Sequence, residues 1–264
     1  MISSSRFKRG GFFALAVIGV LITAACAQQP AQYADLGRED SARLESARAH
    51  TDLGSAYYGN GQVAVALEEL TLATQIYPKY APAYYMLGLV YMDLKEDANA
   101  ERAFQKAISL DPTSSEAYNN YGWFLCQRGR IDDAIKQFMT ALKNPRYETP
   151  EKPYVNAGIC SRKRNDDTAA LDYFQHALKL KPNHPQALYN SADIYFRRGD
   201  LAHAKSLLLQ YMKTTQPAPD ALWLGVRLER KLGERIEEAS YAQMLRERYP
   251  DSPEAQLLRA ERYQ

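Results

Sequence analysis

Residues 47–250 repeat with a period of 34, and no other feature of the chain restricts its fold as tightly. Counted from Ala47, Leu53-Gly54, Leu87-Gly88 and Tyr121-Gly122 fall at the seventh and eighth positions of successive units. Ala66, Ala100 and Ala134 fall at position twenty, Leu70, Phe104 and Phe138 at twenty-four, and Ala73, Ala107 and Ala141 at twenty-seven. Pro78 and Pro112 close the first two units. A two-residue insertion in Asn144–Pro150 shifts the phase, which resumes at Glu151 with Ala157-Gly158, Ala170, Phe174, Ala177 and Pro182. A fifth unit starts at Pro185, with Ala192, Tyr195, Ala204 and Leu208. The sixth holds Leu224-Gly225, Leu228 and Pro250, with its register slipped by about one residue.

This spacing resembles the tetratricopeptide repeat, in which each unit is a pair of antiparallel helices, A and B. Small residues at eight and twenty let A and B approach closely. Alanine at twenty-seven admits the next A helix, and bulky residues at four, seven, eleven and twenty-four fill the space between. Tyr84, Tyr91, Tyr118 and Tyr195 are expected in that core. Gly61, Gly129 and Gly199 mark turns, and proline ends the B helices. The expected fold is all-α, a superhelix of about six helix pairs over residues 47–250. Residues 251–264 form a capping helix in which Ser252-Pro253 supplies an N-cap and a first-position proline.

The amino-terminal segment has the parts of a signal peptide. Arg6, Lys8 and Arg9 precede the apolar stretch Gly11–Ala25, whose helical rise of about 22 Å falls short of the bilayer core. Thr23-Ala24-Ala25 before Cys26 resembles a bacterial lipobox, which implies cleavage after residue 25 and lipidation of Cys26. Three acyl chains anchor a protein firmly where one does not. Ala27-Gln28, with no aspartate after the cysteine, implies retention at the periplasmic face of the outer membrane. Residues 26–46 read as the lipidated cysteine, a tether and the start of the first helix.

The whole chain has 33 basic and 31 acidic side chains, net +2. Without Arg6, Lys8 and Arg9 it stands at 30 against 31, and a neutral body argues against a nucleic-acid partner. His50, His176, His184 and His203 are scattered, no His–Cys cluster has metal-ligand spacing, and no phosphate loop or nucleophile elbow is present. The repeats leave no room for a catalytic domain. No enzyme activity, metal, cofactor or small-molecule substrate is expected.

Ligands of tetratricopeptide superhelices lie in the groove lined by A helices, which positions two, five, nine, twelve and thirteen face. In the first three units those positions include Tyr58, Tyr85, Leu89, Met92, Asn119 and Trp123, a mostly apolar strip proposed to bind protein. The fourth unit supplies Lys152, Arg162 and Lys163, with Arg164 beside them, read as a solvated basic face. Cys126 and Cys160 occupy positions twelve and ten of adjacent A helices, and the insertion leaves them at similar heights. A disulfide is expected in an oxidising compartment.

Two segments are more specific than the repeat. Asn119-Asn120-Tyr121-Gly122-Trp123-Phe124-Leu125-Cys126 resembles the signature of the PilF/PilW type IV pilus biogenesis lipoproteins, the pilotins. So does Leu224-Gly225-Val226-Arg227-Leu228-Glu229-Arg230-Lys231, followed by Tyr249-Pro250. The resemblance implies a scaffold that binds the pilus secretin subunit and promotes its outer-membrane targeting and multimerisation, or pilus stability. A scaffold of another envelope machine and a soluble chaperone-like module are the alternatives.

Overall fold

The computed structural model describes residues 29–263, and thirteen helices account for most of them. They are α1 (Gln29–Gly59), α2 (Val63–Ile76), α3 (Ala81–Asp93), α4 (Asp97–Leu110), α5 (Ser115–Gln127), α6 (Ile131–Ala141) and α7 (Glu151–Lys163). There follow α8 (Asp167–Leu180), α9 (Pro185–Arg197), α10 (Leu201–Thr214), α11 (Pro219–Leu232), α12 (Arg235–Arg248) and α13 (Pro253–Arg259). No strand occurs among the described residues. Cys26 and the signal-peptide segment lie outside them.

The layering follows from the residues in the repeat slots. Each even-numbered helix packs on the odd helix before it and the odd helix after it, and the odd helices also pack on one another from α1 to α13. The backbones of the even helices stay apart from one another among the described residues, so the odd layer is the inner, concave side. The position-twenty alanines, Ala66, Ala100, Ala134, Ala170 and Ala204, are all fully buried, as are Leu70, Phe104, Phe138 and Phe174. Those bulky side chains lie directly against the position-eight glycines. A Cβ on Gly88, Gly122 or Gly158 would stand 2.6, 2.7 or 2.5 Å from the ring of Phe104, Phe138 or Phe174. The fifth unit fills the same space with Ala192 against the smaller Leu208.

The A–B turns complete a series that the glycines only begin. Gly61, Gly129, Gly199 and Gly233 have φ of 75–81°, and Lys95 and Asn165, each with φ 61°, hold the equivalent place in units two and four. Glycine visits that left-handed region without steric cost, whereas Lys95 and Asn165 have a Cβ to accommodate. Ser114, Asp166, Asp200 and Ser252 cap α5, α8, α10 and α13 by accepting from backbone N–H groups. The α13 cap is the one read from Ser252-Pro253, with Ala255 and Leu258 buried beneath it.

Three expectations require correction. The tether read into residues 26–46 is helical from Gln29 onward, because α1 continues far ahead of the first repeat. Arg43 donates to the Ile76 carbonyl oxygen at the end of α2, at 2.8 and 3.0 Å, and holds that extension against its partner. Leu53 is 42% exposed, because among the described residues no earlier helix packs over position seven of the first unit. Tyr84, Tyr91, Tyr118 and Tyr195 are half-buried and not fully enclosed, since a phenol keeps its polar tip near water, although Tyr91 and Tyr195 pack on the buried clusters. Tyr84 donates to the Pro78 carbonyl oxygen at 3.1 Å.

A charged link joins the second and third units. The Glu101 carboxylate of α4 accepts from the Tyr121 hydroxyl at 2.8 Å and from Arg130 at 2.7 Å. Tyr121 and then Arg130 hold its carboxyl below the usual range, against the opposing effect of burial. A carboxyl depressed in the folded state contributes stability above its unfolded pKa of about 4.3, and that contribution disappears as pH falls through the folded value. Glu101→Gln is therefore expected to lower the urea midpoint at about pH 6 and to approach the parent as pH falls through the folded value. An unchanged gap across that range would mean the link adds nothing to stability.

Candidate functional site

The inner face of α1, α3 and α5 carries the apolar strip, and its residues are seated deeper than a solvated surface. Tyr85, Leu89, Met92 and Trp123 are half-buried and pack on a cluster that contains Phe104, Phe124 and Leu125. Tyr58 rests on the cluster of Leu70, Leu87 and Val90, and its hydroxyl donates to Asp93 at 2.7 Å, tying α1 to α3. The closeness of the odd helices causes this seating: each strip residue covers part of the neighbouring A helix. What remains open is the exposed part of these half-buried side chains, the inner trough between α1, α3 and α5.

Burial pushes the Tyr85 hydroxyl up to about 12, with the Glu116 and Asp52 charges acting in the same direction. Tyr58 is raised by burial first and then by its bond to Asp93. Both phenols thus remain protonated donors near neutral pH. Lys163 places its ammonium 5.9 Å from the centre of the Trp123 ring and donates to the Gln127 side chain at 2.5 Å. One face of Trp123 is thereby shielded by a cation.

Asn119 departs from its expected role. It is 7% exposed, and its side-chain oxygen accepts from Asn156 at 3.0 Å. It joins α5 to α7 and offers no surface to a partner. On the basic face of the fourth unit Lys152, Lys163 and Arg164 are exposed, and only Arg162 is half-buried against its neighbours. Arg162 pairs with Asp193 and Asn190, and Arg164 with Asp132 at 2.6 Å. Each arginine is separated from its aspartate by about one period, which a reading unit by unit does not reveal.

Cys126 and Cys160 are joined by a disulfide with Cα atoms 5.8 Å apart, and both are buried. The bridge links α5 to α7 across the irregular connection. There α6 ends early at Ala141, and the loop carries Tyr147 into the interior. The Ser115 hydroxyl donates to the Ala141 carbonyl oxygen at 2.8 Å and so satisfies the shortened helix end.

Residues in the carboxy-terminal half also form an arrangement that the slipped register conceals. Trp223, Arg227, Arg230 and Lys231 lie at spacings of four, seven and eight on α11 and share a face. Arg227 stacks 5.0 Å from the centre of the Phe196 ring and 5.9 Å from that of Trp223, and Lys231 sits 4.6 Å over Phe196. Glu229, on the opposite side, is buried and pairs with Lys205 of α10 at 2.7 Å. No group of three or more metal-ligating side chains occurs among the described residues. None of the described helices is long and apolar enough to cross a membrane.

Comparison with known proteins places this geometry. Profiles of the tetratricopeptide repeat match residues 81–114, 103–136 and 163–226, and the first of these coincides with the second unit counted from Ala47. The type IV pilus assembly protein PilF of Pseudomonas aeruginosa is 28% identical over 225 residues, covering 85% of this chain and 89% of PilF. The solved structure of Pseudomonas aeruginosa PilF superposes with a TM-score of 0.74 over 84% of this chain and all of its own. The crystal structure of PilW, described as a widely conserved type IV pilus biogenesis factor, is 30% identical. It has a TM-score of 0.72 and covers 80% of this chain and 97% of PilW. The two relatives are matched nearly end to end and not through single repeats, and the chain belongs to the PilF/PilW family of tetratricopeptide repeat proteins.

Proposed function

We propose that this chain serves type IV pilus biogenesis as a non-catalytic scaffold, and that it does so as a pilotin. The inner trough of α1, α3 and α5 holds a segment of the pilus secretin subunit, with Tyr58, Tyr85, Leu89, Met92 and Trp123 as the contact residues. Lipidated Cys26 fixes the scaffold to the periplasmic face of the outer membrane. The single observation that carries this reading is the near end-to-end match to PilF and PilW, at 28% and 30% identity. The chemistry required is modest. A membrane anchor confines the scaffold, and confinement raises the effective concentration of captured subunits for assembly. The part of α1 ahead of Ala47, residues 29–46, spans about 27 Å as a helix and acts as a stiff spacer between anchor and trough.

Deletion of the gene is expected to deplete secretin multimers from outer-membrane fractions. Re-expression of a Tyr85→Ala/Trp123→Ala chain is expected to leave them depleted, since truncating two anchors of an interface costs it about 2–4 kcal/mol each. Palmitate labelling should be lost in Cys26→Ser. Normal, correctly localised multimers in the deletion strain would refute the secretin role.

A further inference from the structure

The cation–aromatic cluster on α9 and α11 has no place in the trough of α1, α3 and α5, and its charges are only partly balanced. Arg230 lies 3.6 Å from the centre of the Tyr263 ring and is neutralised by Glu238 at 2.9 Å. Arg227 and Lys231 make no ion pair and no side-chain hydrogen bond among the described residues, although each lies over the ring of Phe196. The Arg227 Nε is buried without an acceptor. A buried donor left without a partner is costly, and buried polar atoms in folded proteins are nearly always satisfied. Here Arg227 is held on aromatic rings with its Nε unpartnered, and the exposed Lys231 stands over the same Phe196 ring. Stacking fixes a guanidinium by its face and leaves its edge for a planar, bidentate acceptor.

We propose that Arg227 and Lys231, held on Phe196 and Trp223, form a second binding site on the inner face, which takes the carboxylate side chains of an acidic segment of a partner protein. The rings beneath the cations bridge the successive inner helices α9 and α11, and Trp223 stacks on Tyr263 beyond α13, so the site lies on the concave layer. A peptide can run along that surface, whereas a flat bilayer does not enter it. The carboxylate pairs with Arg227 and Lys231, while the buried rings of Phe196 and Trp223 hold those cations from beneath. This site is separate from the Tyr85–Trp123 trough, so its failure leaves the secretin reading untouched.

The chain has two tryptophans, and Trp123→Phe leaves Trp223 as sole reporter beneath Arg227. The probe is the capped peptide acetyl-Gly-Leu-Glu-Glu-Leu-Glu-amide, titrated into the full-length Trp123→Phe chain, against the same peptide with glutamine for each glutamate. Saturable change in Trp223 emission is expected with the glutamate peptide, at least about ten-fold tighter than with the glutamine peptide and weakening as salt is raised. Arg227→Gln/Lys231→Gln should weaken it by at least about ten-fold, and Arg227→Lys, which keeps the charge and loses the fork, by several-fold. Thermal midpoints of the variants report folding, and Lys231→Gln alone provides a milder test if the double variant is unstable. Equal binding of the two peptides, or full binding by a folded double variant, would overturn the proposal. So would phosphatidylglycerol vesicles that bind the parent, fail to bind the double variant and displace the peptide, since that result assigns the cations to a membrane.

Discussion

Phe138→Ala is expected to destabilise the protein by about 3–5 kcal/mol, the range for deleting a fully buried aromatic ring from a core that cannot close over the gap. The ring is packed edge-on against the backbone of α5 at Gly122, and Gly122→Ala approaches the same contact from the other side. Its added Cβ would meet the Phe138 ring at 2.7 Å and the Ala134 carbonyl oxygen at 3.1 Å, so the side chain and the backbone of α6 both resist it. Overpacking of this kind costs about 1–3 kcal/mol. The fifth unit already contains the compensated arrangement, Ala192 against Leu208, both buried. Gly122→Ala with Phe138→Leu should therefore cost less than the sum of the two single changes, by a coupling of about 1 kcal/mol or more in a double-mutant cycle. Urea denaturation of the four proteins measures it. Additive effects would mean that the glycine and the ring do not share one space.

The same contact explains why the fold is legible in the sequence. A 34-residue register with small residues at eight and twenty and a bulky one at twenty-four is a direct image of the helix–helix interface, written once per unit. Local turn chemistry is partly legible: Gly61, Gly129 and Gly199 announce left-handed residues, but Lys95 and Asn165 hold that conformation without any glycine to signal it. The helical start of α1 is not legible. Residues 29–46 have no strong apolar period, and their helicity comes from continuation of a packed segment and from the Arg43 bond to the end of α2.

The candidate site divides in the same way. Positional reasoning brings Tyr85, Leu89, Met92 and Trp123 together on one face, because they occupy fixed slots on successive A helices. It misjudges Asn119, whose burial depends on a partner, Asn156, in the next unit. It also leaves out the acceptors of Arg162 and Arg164, Asp193 and Asp132, which lie about one period away in sequence. Solvent exposure of a polar side chain in a stacked array depends on residues about 30 positions distant, and a pass through each unit separately does not see them. The cluster of Arg227 and Lys231 is hidden for a further reason: the register slip in the sixth unit moves it off the expected slots.

Removing the Cys126–Cys160 bridge is expected to lower stability by about 4 kcal/mol, the chain-entropy value for a loop of this separation. For a chain of this size that corresponds to a fall of about 8–16 °C in the thermal midpoint. The location of the bridge adds a qualitative effect. In a repeat array each unit is supported chiefly by its neighbours, so cooperativity is only as strong as the weakest junction. The connection from α6 to α7 carries the two-residue break in the 34-residue phase, and the bridge lies across it. Cys126→Ser/Cys160→Ser should therefore split a single thermal transition into two, with amide exchange accelerating first in α5, α6 and α7. A single transition at an unchanged midpoint would show that packing at Tyr147 and the Ser115–Ala141 bond suffice to hold the junction. Because both sulfurs are buried, reductant should act slowly on the folded protein and quickly once α5 and α7 separate. Protein made in a reducing cytosol should then show the lower midpoint and two alkylatable thiols on unfolding, and oxidation should restore the higher midpoint.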